Sequence, residues 1–366
     1  LADILRIGAY QILFLDRVPD NAAVHTSVEL TKSAGRGQAA GLVNAVLRRL
    51  CREKAALPDI PDRDEAKYLY IRYSHPKWMV KRLLALLGRE GAEMFLTSSN
   101  LQPPAAAQVN TCRFTVEEAL AALEAGGVRA EKHSWMPDCL MLEGSGDLER
   151  LRAFQEGMIY IQYPAARLAA LAADLRSGNR VLDVCAAPGG KSFAAAIAME
   201  DRGEIIACDL HENKLKRVRE GAVRLGLTSI HGKAADGRVF LEEWRNAFDV
   251  VLVDAPCSGL GILRKKPDIR RKRADSLFTL PVVQSAILEN AARYVRPGGT
   301  LLYSTCTVLP EENEEVTDAF LGTHPEFSRE TFLLPEPIGQ VGGQITLWPH
   351  LHNTDGFYIC RMTRRV

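Results

Sequence analysis

The sequence lacks the features that would place it in a membrane or outside the cell. No apolar run approaches the roughly 20 residues that a helix needs to span a bilayer, and the first residues do not follow the order of a signal peptide. The eight cysteines are scattered singly with no C-x-x-C pair, and the eight histidines form no metal-ligand spacing. We therefore expect a cytoplasmic protein with reduced thiols, no metal and no membrane contact.

The chain also lacks a large net charge. Its 46 basic and 45 acidic residues give a formal charge of +1 at pH 7, which excludes a wholly basic nucleic-acid coat. The charge is nevertheless uneven, because RKKPDIRRKR at 264–273 contains seven cations and one acidic residue. Such a run is most often a solvated surface, and it can also neutralise phosphates.

The familiar phosphate-binding loops are missing as well. Residues 184–192 read VCAAPGGKS, but a P-loop would need a glycine at position 185, where the chain has Cys185. The dinucleotide pattern G-x-G-x-x-G is absent too, because the only glycines in the turn are the adjacent Gly189 and Gly190. A bare tight turn is the simplest interpretation. A glycine turn beside a helix N-terminus also suits a carboxylate.

The hydrophobic pattern changes twice along the chain. Residues 1–57 repeat apolar positions at three and four, which predicts a helical domain, and we expect it to be incomplete at its N-terminus. The segment 57–65 is Pro-rich and acidic, as is typical of a linker. Mixed helical and extended patterns over 66–157 predict a small α+β domain. From 158 to 366, apolar strands alternate with helices, which predicts a doubly wound α/β domain with a mostly parallel sheet.

Acidic residues close three of these apolar strands, at the edge where doubly wound sheets bind ligands. Asp209 lies about twenty positions after the glycines, where a carboxylate can accept both hydroxyls of a ribose. Asp236 is placed to meet an adenine amino group, and Asp254 ends the next strand. Each of them alone is more simply a helix cap. Together with the glycine turn they indicate a nucleoside with a carboxylate tail, and S-adenosylmethionine is such a ligand.

Two cysteines also follow apolar strands, in DAPCSGLG at 254–261 and STCT at 304–307. Because consecutive strands of such a sheet commonly lie side by side, we expect the thiols of Cys257 and Cys306 to face one pocket. A cysteine is usually a small buried hydrophobe, so only their position distinguishes these two. Beside a methyl donor, one thiolate can add to carbon 6 of cytosine and activate carbon 5, with Asp254 as acid partner. The residues do not decide which thiol attacks.

The basic run fits a nucleic-acid substrate for this chemistry without proving one. The run directly follows the first cysteine motif, so its cations are expected to flank the pocket and contact phosphates. A target cytosine must leave any helical stack to reach a buried thiol, which predicts an unstacked or single-stranded segment. The candidate RNA contacts are Arg264, Lys265, Lys266, Arg270, Arg271, Lys272 and Arg273.

These motifs resemble those of a known enzyme family. VLDVCAAPGGKS, VLVDAPCSGLG with the following PDI, and LLYSTCTVLPEENEEV are similar to the Nop/Sun RNA cytosine-C5 methyltransferases. The N-terminal helical stretch looks like the NusB-like domain of the RsmB (Sun/Fmu) branch. The resemblance covers nearly the whole chain. One departure is IQYPAARL at 161–168, where Tyr163 and Pro164 stand in place of the acidic residue that often follows the glutamine.

The resemblance implies a Rossmann-like class I methyltransferase domain and a role for each motif. It implies that Cys306 is the nucleophile, that Cys257 aids product release, and that Asp254 acts beside them. It further implies S-adenosylmethionine as cofactor and small-subunit (16S) ribosomal RNA as partner, and we expect the enzyme to be a monomer. The implied donor contacts are Cys185, Ala186, Ala187, Pro188, Gly189, Gly190, Lys191, Asp209, Asp236 and Asp254.

Other functions stay open at the level of sequence. The same fold could methylate a protein or a small molecule, and Cys306 would then not be needed. The cytosine could instead belong to another ribosomal or transfer RNA site. The NusB-like helices alone also fit a non-catalytic RNA-binding factor. The interpretation as an ATPase rests only on the letters GKS, and it is contradicted by Cys185, which stands where a P-loop needs glycine.

Overall fold

The structure is a computed structural model that describes residues 1–103, 105–144 and 146–366. The chain divides into two units, Leu1–Tyr68 and Leu69–Val366. None of the helices in the described part of the chain has both the length and the apolar character that crossing a bilayer requires.

The first unit is helical, as the sequence predicts. Its helices are α1 (Ala2–Phe14), α2 (Asp20–Ser33), α3 (Ala40–Glu53) and the start of α4 (Glu65–Tyr73). Ile4, Ile12 and Leu47 are buried in its core. Gly8 is required where α1 packs on its neighbours, because a Cβ there would lie 2.6 Å from both Leu47 Cδ1 and Ser27 Oγ.

The second unit opens with a long helix and a four-stranded antiparallel sheet. These elements are α5 (Lys77–Asn100), β1 (Ala105–Val109), α6 (Val116–Ala125), β2 (Arg129–Lys132), β3 (Cys139–Glu143), α7 (Arg152–Gln155) and β4 (Ile159–Ile161). The strand order is β2-β3-β1-β4. α6 begins at a capping box between Thr115 and Glu118, and its residues Ala119 and Leu123 are buried in the core of this sheet.

An eight-stranded sheet with intervening helices completes the unit. Its strands are β5 (Arg180–Asp183), β6 (Glu204–Asp209), β7 (Ile230–Ala234), β8 (Phe248–Asp254), β9 (Val295–Thr305), β10 (Phe327–Arg329), β13 (Gln344–Leu347) and β14 (Phe357–Arg364). A separate two-stranded pair consists of β11 (Phe332–Leu333) and β12 (Gln340–Val341). The helices are α8 (Pro164–Ala172), α9 (Gly190–Ala198), α10 (Glu212–Leu225), α11 (Leu280–Ala292), α12 (Glu314–Thr323) and α13 (Pro349–His352).

The topology of this sheet determines where a ligand can bind. The order is β10-β14-β9-β8-β5-β6-β7, with β13 beside β14. Strands β5 to β9 are parallel, and β14 runs antiparallel to β9. The order reverses at β5, so the loops that follow β5 and β8 diverge and leave a crevice between them. The five parallel strands are those that the apolar runs predict, and the expected α/β fold class is confirmed.

The two sheets of the second unit share one hydrophobic core. Met136 and Tyr160 of the small sheet region are buried in the same cluster as Phe193 of α9. The Nδ2 atom of Asn110 donates to the carbonyl oxygen of Leu225 at 2.8 Å, which adds a polar tie. The packing is therefore continuous across residues 157 and 158, and the expected domain boundaries stay predictions.

Candidate active site

A cavity of about 470 Å³ opens where the strand order reverses. This volume is typical of small-molecule sites. The glycine turn after β5 forms one part of the wall, and Asp254 and Cys306 at the ends of β8 and β9 form another. Gln162, Tyr163 and Asp355 complete it. Most residues of the predicted donor turn line the cavity, namely Cys185, Ala186, Ala187, Pro188, Gly190 and Lys191.

The glycine turn is shaped by two close approaches. Gly189 is the N-cap of α9 and has a φ of 114°, a conformation that L side chains rarely adopt. A Cβ on Gly189 would lie 2.5 Å from the Phe193 ring, and a Cβ on Gly190 would lie 3.2 Å from Gln162 Nε2. Because the two glycines have no side chains, they leave the backbone N–H groups at the N-terminus of α9 uncovered. Free N–H groups at a helix N-terminus favour binding of an anion.

Two buried polar atoms in the cavity wall lack hydrogen-bond partners among the described residues. They are Asp183 Oδ1 and Gln162 Nε2, an acceptor and a donor. The other carboxylate oxygen of Asp183 accepts from Ser192 Oγ at 2.7 Å. Burial raises the pKa of Asp183 to about 6, although the Ser192 hydrogen bond opposes the shift. Unpartnered buried polar atoms are costly, so both atoms indicate a ligand with complementary polar groups.

The structure brings Cys257 and Cys306 together. Their Sγ atoms lie 3.2 Å apart, and Cys306 lines the cavity. The hydrogen bond from Cys257 lowers the pKa of Cys306, and the same bond raises the pKa of Cys257. Only one of two thiols that share a hydrogen bond ionises readily, and this arrangement favours the thiolate on Cys306.

Asp254 stands beside the two thiols and is held from two sides. Its Oδ2 pairs with Lys191 Nζ at 2.6 Å, and its Oδ1 accepts from Ser304 Oγ at 3.0 Å. Lys191 is itself buried and lies 5.0 Å from the centre of the Phe357 ring. In the described part of the chain, no group of His, Cys, Asp and Glu side chains is arranged to hold a metal ion.

Comparisons with known proteins agree with this geometry. Family models match residues 170–363 as "16S rRNA methyltransferase RsmB/F", 75–149 as the RsmF/B-like ferredoxin-like domain, and 1–52 as the NusB family. The chain is 39% identical to "Probable ribosomal RNA small subunit methyltransferase B" of Bacillus subtilis (strain 168), over 99% of this chain and 82% of that protein. The chain belongs to the RsmB/F family of 16S rRNA methyltransferases.

Solved structures are similar over the same regions of this RsmB/F family member. The crystal structure of PH0851 is 31% identical with a TM-score of 0.82, and the match covers 98% of this chain and 81% of that one. A methyltransferase homolog protein from Pyrococcus horikoshii is 27% identical with a TM-score of 0.70, over 83% and 100% of the two chains. The resemblance inferred from the sequence motifs is thus confirmed.

Three predicted donor contacts, Gly189, Asp209 and Asp236, do not line the cavity. Asp209 accepts from the backbone N–H of His211 at 3.0 Å, which forms a turn just before α10. Asp236 accepts from Arg238, with Nη2 at 2.7 Å, and this cation lowers the pKa of Asp236. Both aspartates follow strands at the same sheet edge as the cavity. Their contacts with ribose and adenine stay predictions.

The basic run is less free than the sequence suggests. Arg264 and Lys265 are both nearly buried against Asp355, and burial lowers the pKa of Lys265 to about 7. Arg270 donates to the carbonyl oxygen of Ser99, and Lys272 donates to that of Ser258. These four cations hold the fold together, which local sequence cannot reveal because their partners are up to 171 residues away. Lys266, Arg271, Lys272 and Arg273 are exposed, and Arg273 pairs with Asp275, with Nη2 3.0 Å from Oδ2.

The cavity wall contains polar residues that were not among the predicted site residues, namely Asp183, Gln162 and Asp355. Asp183 closes β5, so the rule that singled out the other strand-end aspartates could have found it. Gln162 and Asp355 gave no such signal, since they precede α8 and β14 and reach the site only through tertiary packing. Tyr163, which the sequence marked as a departure from the family, lies beneath the Lys265 ammonium.

The loops of the two cysteines depend on a glycine. The Gly261 N–H donates to the Cys306 carbonyl at 3.0 Å, and the Gly356 N–H donates to the Gly261 carbonyl at 2.9 Å. A Cβ on Gly261 would overlap the Gly356 carbonyl. We expect Gly261→Ala to lower the free energy of unfolding by about 3 kcal/mol, measured by urea denaturation.

The matched control for this prediction is Gly322→Ala. Gly322 lies in α12, and a Cβ there meets nothing within 4 Å. Alanine has a higher helix propensity than glycine, so this change should raise the free energy of unfolding by up to about 1 kcal/mol. Equal stabilities of the two variants would show that the backbone at Gly261 can move aside.

Proposed function

We propose that this chain methylates carbon 5 of a cytosine in 16S ribosomal RNA, with S-adenosylmethionine as donor and Cys306 as nucleophile. One observation supports this most directly: Cys306 lines the same cavity as the glycine turn and lies 3.2 Å from Cys257. Methylation of RNA or protein at oxygen or nitrogen has no need of paired thiols. The RsmB/F family membership supports ribosomal RNA as the substrate.

The cavity fits the proposed donor. S-adenosylmethionine has an ammonium and a carboxylate on its methionine part, and it supplies a methyl group bonded to a sulfonium. Asp183 Oδ1 is a free acceptor suited to the ammonium, and the bare N-terminus of α9 and Gln162 Nε2 are donors suited to a carboxylate. Asp209 and Asp236 would contact the ribose and the adenine.

The first step that the site supports is addition of sulfur to the ring. The Cys306 thiolate forms a bond to carbon 6 of the cytosine, and the displaced electron pair makes carbon 5 nucleophilic. Negative charge builds at N3 as this bond forms, and Asp254 would meet it in its protonated form by donating its proton to N3 and recovering it after methyl transfer. The Lys191 contact and the Ser304 hydrogen bond fix the orientation of that carboxyl group.

The second step is elimination. After carbon 5 has gained its methyl group, a base removes the proton from that carbon, and the electron pair restores the double bond between carbons 5 and 6. The bond between carbon 6 and sulfur breaks, and Cys306 leaves as a thiolate. Cys257 is placed to assist, because its hydrogen bond stabilises the departing sulfur.

The RNA is proposed to approach over the exposed end of the basic run. Lys266 lines the cavity and is exposed, so it would contact a phosphate next to the target nucleotide. Arg271 and Arg273 are exposed further along the same run. The target would be an unstacked or single-stranded segment, because the thiol lies at the end of a strand inside a cavity. We propose a monomer that works in the cytoplasm.

Donor binding should depend on pH through Asp183. The pKa of this carboxyl is raised to about 6, so it is protonated at pH 5 and ionised at pH 7. Only the ionised form offers a charge to an ammonium, so affinity for S-adenosylmethionine should rise about tenfold between these pH values. Titration calorimetry at the two pH values measures this affinity. Asp183→Asn keeps the shape and should bind weakly at both pH values, whereas a wild-type affinity that does not change with pH contradicts the assignment.

The proposed function is tested by methyl transfer to defined RNA. The protein is incubated with unmethylated 16S RNA and labelled S-adenosylmethionine, and the digested nucleosides are separated. Label on 5-methylcytidine is the expected result. Parallel incubations with 23S RNA and transfer RNA separate the 16S assignment from other RNA substrates. A protein that binds RNA but transfers no label would be a non-catalytic factor.

A further inference from the structure

A buried carboxylate lies next to the cysteine pair and has no part in the steps above. Glu312 ends the short 3₁₀ turn Pro310–Glu312 that follows the Cys306 motif, and only 1% of it is exposed. Its Oε2 accepts from the backbone N–H of Ser258 at 2.8 Å and from Gln284 Nε2 at 2.9 Å. Its Oε1 has no hydrogen-bond partner among the described residues. In the described part of the chain, both hydrogen bonds to this side chain come from uncharged groups.

Glu312 belongs to the segment after Cys306, but its side chain is hydrogen-bonded to the loop of Cys257. Ser258, whose N–H it accepts, is the residue directly after Cys257. Gln284 donates from the same Nε2 atom to the Pro256 carbonyl at 2.9 Å, so the carboxylate and the loop share one amide. This placement brings the charge close to the Cys257 sulfur, and it contributes to the raised pKa of that thiol behind the larger effects of the Cys306 hydrogen bond and burial.

Two cations lie on the cavity side of the pair, whereas Lys272 Nζ bonds the Ser258 carbonyl of the Cys257 loop at 2.8 Å. Lys191 and Lys266 line the cavity with Cys306, and both favour its thiolate. Asp254 disfavours ionisation of either thiol, and its effect on Cys306 is larger than that of either lysine. The main titratable and charged groups around the two thiols are Lys191, Asp254, Lys265, Lys266, Lys272, Tyr303 and Glu312.

We propose that Glu312 is a positioning residue that keeps the shared proton on Cys257 and thereby leaves the thiolate on Cys306. The charge of the carboxylate repels a thiolate on the nearer sulfur, and the lysines attract one to the farther sulfur. The choice of nucleophile between two neighbouring cysteines thus follows from buried charge. Its consequence for catalysis rests on the proposed function, whereas the location of the proton can be measured without RNA or donor.

The test is site-resolved alkylation of the free protein. Iodoacetamide reacts with thiolates, so brief treatment at pH 7 followed by peptide mass spectrometry reports the ratio of Cys306 to Cys257 modification. Glu312→Gln keeps the shape and the acceptor for the Ser258 N–H while removing the charge. We expect this ratio to fall about tenfold, which corresponds to one pKa unit between the two sulfurs. A ratio within twofold of the wild type overturns the proposal.

Two controls separate charge from loosening of the loop. Ser258→Ala removes the hydroxyl that bonds Thr307 Oγ1 at 2.7 Å but keeps the carboxylate, so the ratio should not change. With Cys257→Ala as background, adding Glu312→Gln should leave the Cys306 rate within twofold. A ratio that falls equally in Ser258→Ala, or a Cys306 rate that changes without Cys257, contradicts the proposal.

If Glu312→Gln does not fold, a substitution at an exposed position can test the same effect of charge on the two thiols. Lys266→Met removes a cation on the Cys306 side, and it should also lower the ratio; an unchanged ratio again counts against the proposal. In methyl-transfer assays, Glu312→Gln should lower kcat about tenfold with KM for RNA unchanged. If the ratio shifts while even the wild type transfers no methyl group, the proposed function fails and the proton assignment stands.

Discussion

We expect Cys306→Ala to abolish methylation of cytosine and to retain binding of S-adenosylmethionine. Without a thiolate to add at carbon 6, carbon 5 of the ring is too poor a nucleophile to accept the methyl group. Loss of a nucleophile from an enzyme that works through a covalent intermediate costs roughly 10⁴-fold or more in kcat. The atoms of the cavity wall that we propose bind S-adenosylmethionine belong to other residues, among them Asp183 and Gln162. Donor affinity should therefore stay within about threefold of the wild type.

The measurement combines two assays on one variant. Incorporation of labelled methyl groups into 16S RNA gives the rate, and titration calorimetry gives donor affinity. Cys112→Ala is the matched control, because Cys112 is an exposed cysteine that does not line the cavity, and it should retain full activity. If Cys306→Ala retains more than one-tenth of wild-type activity, the covalent mechanism is wrong. That result would favour a methyltransferase that has no need of this thiol.

We expect Cys257→Ala to have the opposite effect on the proposed intermediate, because it should trap RNA on the enzyme. Cys306 can still add to the ring and carbon 5 can still take the methyl group, since Cys306 lines the cavity and Cys257 does not. The departing sulfur, however, loses its hydrogen-bond donor 3.2 Å away. Elimination slows, and the covalent complex accumulates. Multiple-turnover methylation should fall about a hundredfold or more.

This adduct is visible as a slow band on a denaturing gel after incubation with RNA and donor. The double variant Cys257→Ala with Cys306→Ala is the control, and it should show no band because the attacking sulfur is gone. The wild type should show little. If Cys257→Ala turns over freely and leaves no band, Cys257 has another role and the release step needs a different group.

The sequence by itself determined the parallel sheet and most of the donor turn. Runs such as RVLD and VVLVD are apolar on both faces, which is possible only for strands covered by helices on both sides, and they form β5 and β8. The order of elements places every strand end at one edge, so Cys257 and Cys306 could be predicted to meet. The glycine turn could also be predicted from local sequence, because Gly189 adopts a positive φ that favours glycine.

Only the tertiary structure decided which charges are free. The sequence suggests that Lys265 and Arg270 are exposed cations, yet they bond Asp355 and the Ser99 carbonyl at the end of α5, across 90 and 171 residues. Gln162 and Asp355 reach the cavity from segments with no local signal. A charged side chain is buried when a partner elsewhere in the fold offsets its desolvation, and that partner is invisible to any local pattern. The field that distinguishes Cys306 from Cys257 is likewise a sum over distant residues, because Coulomb interactions depend on distance in space and not along the chain.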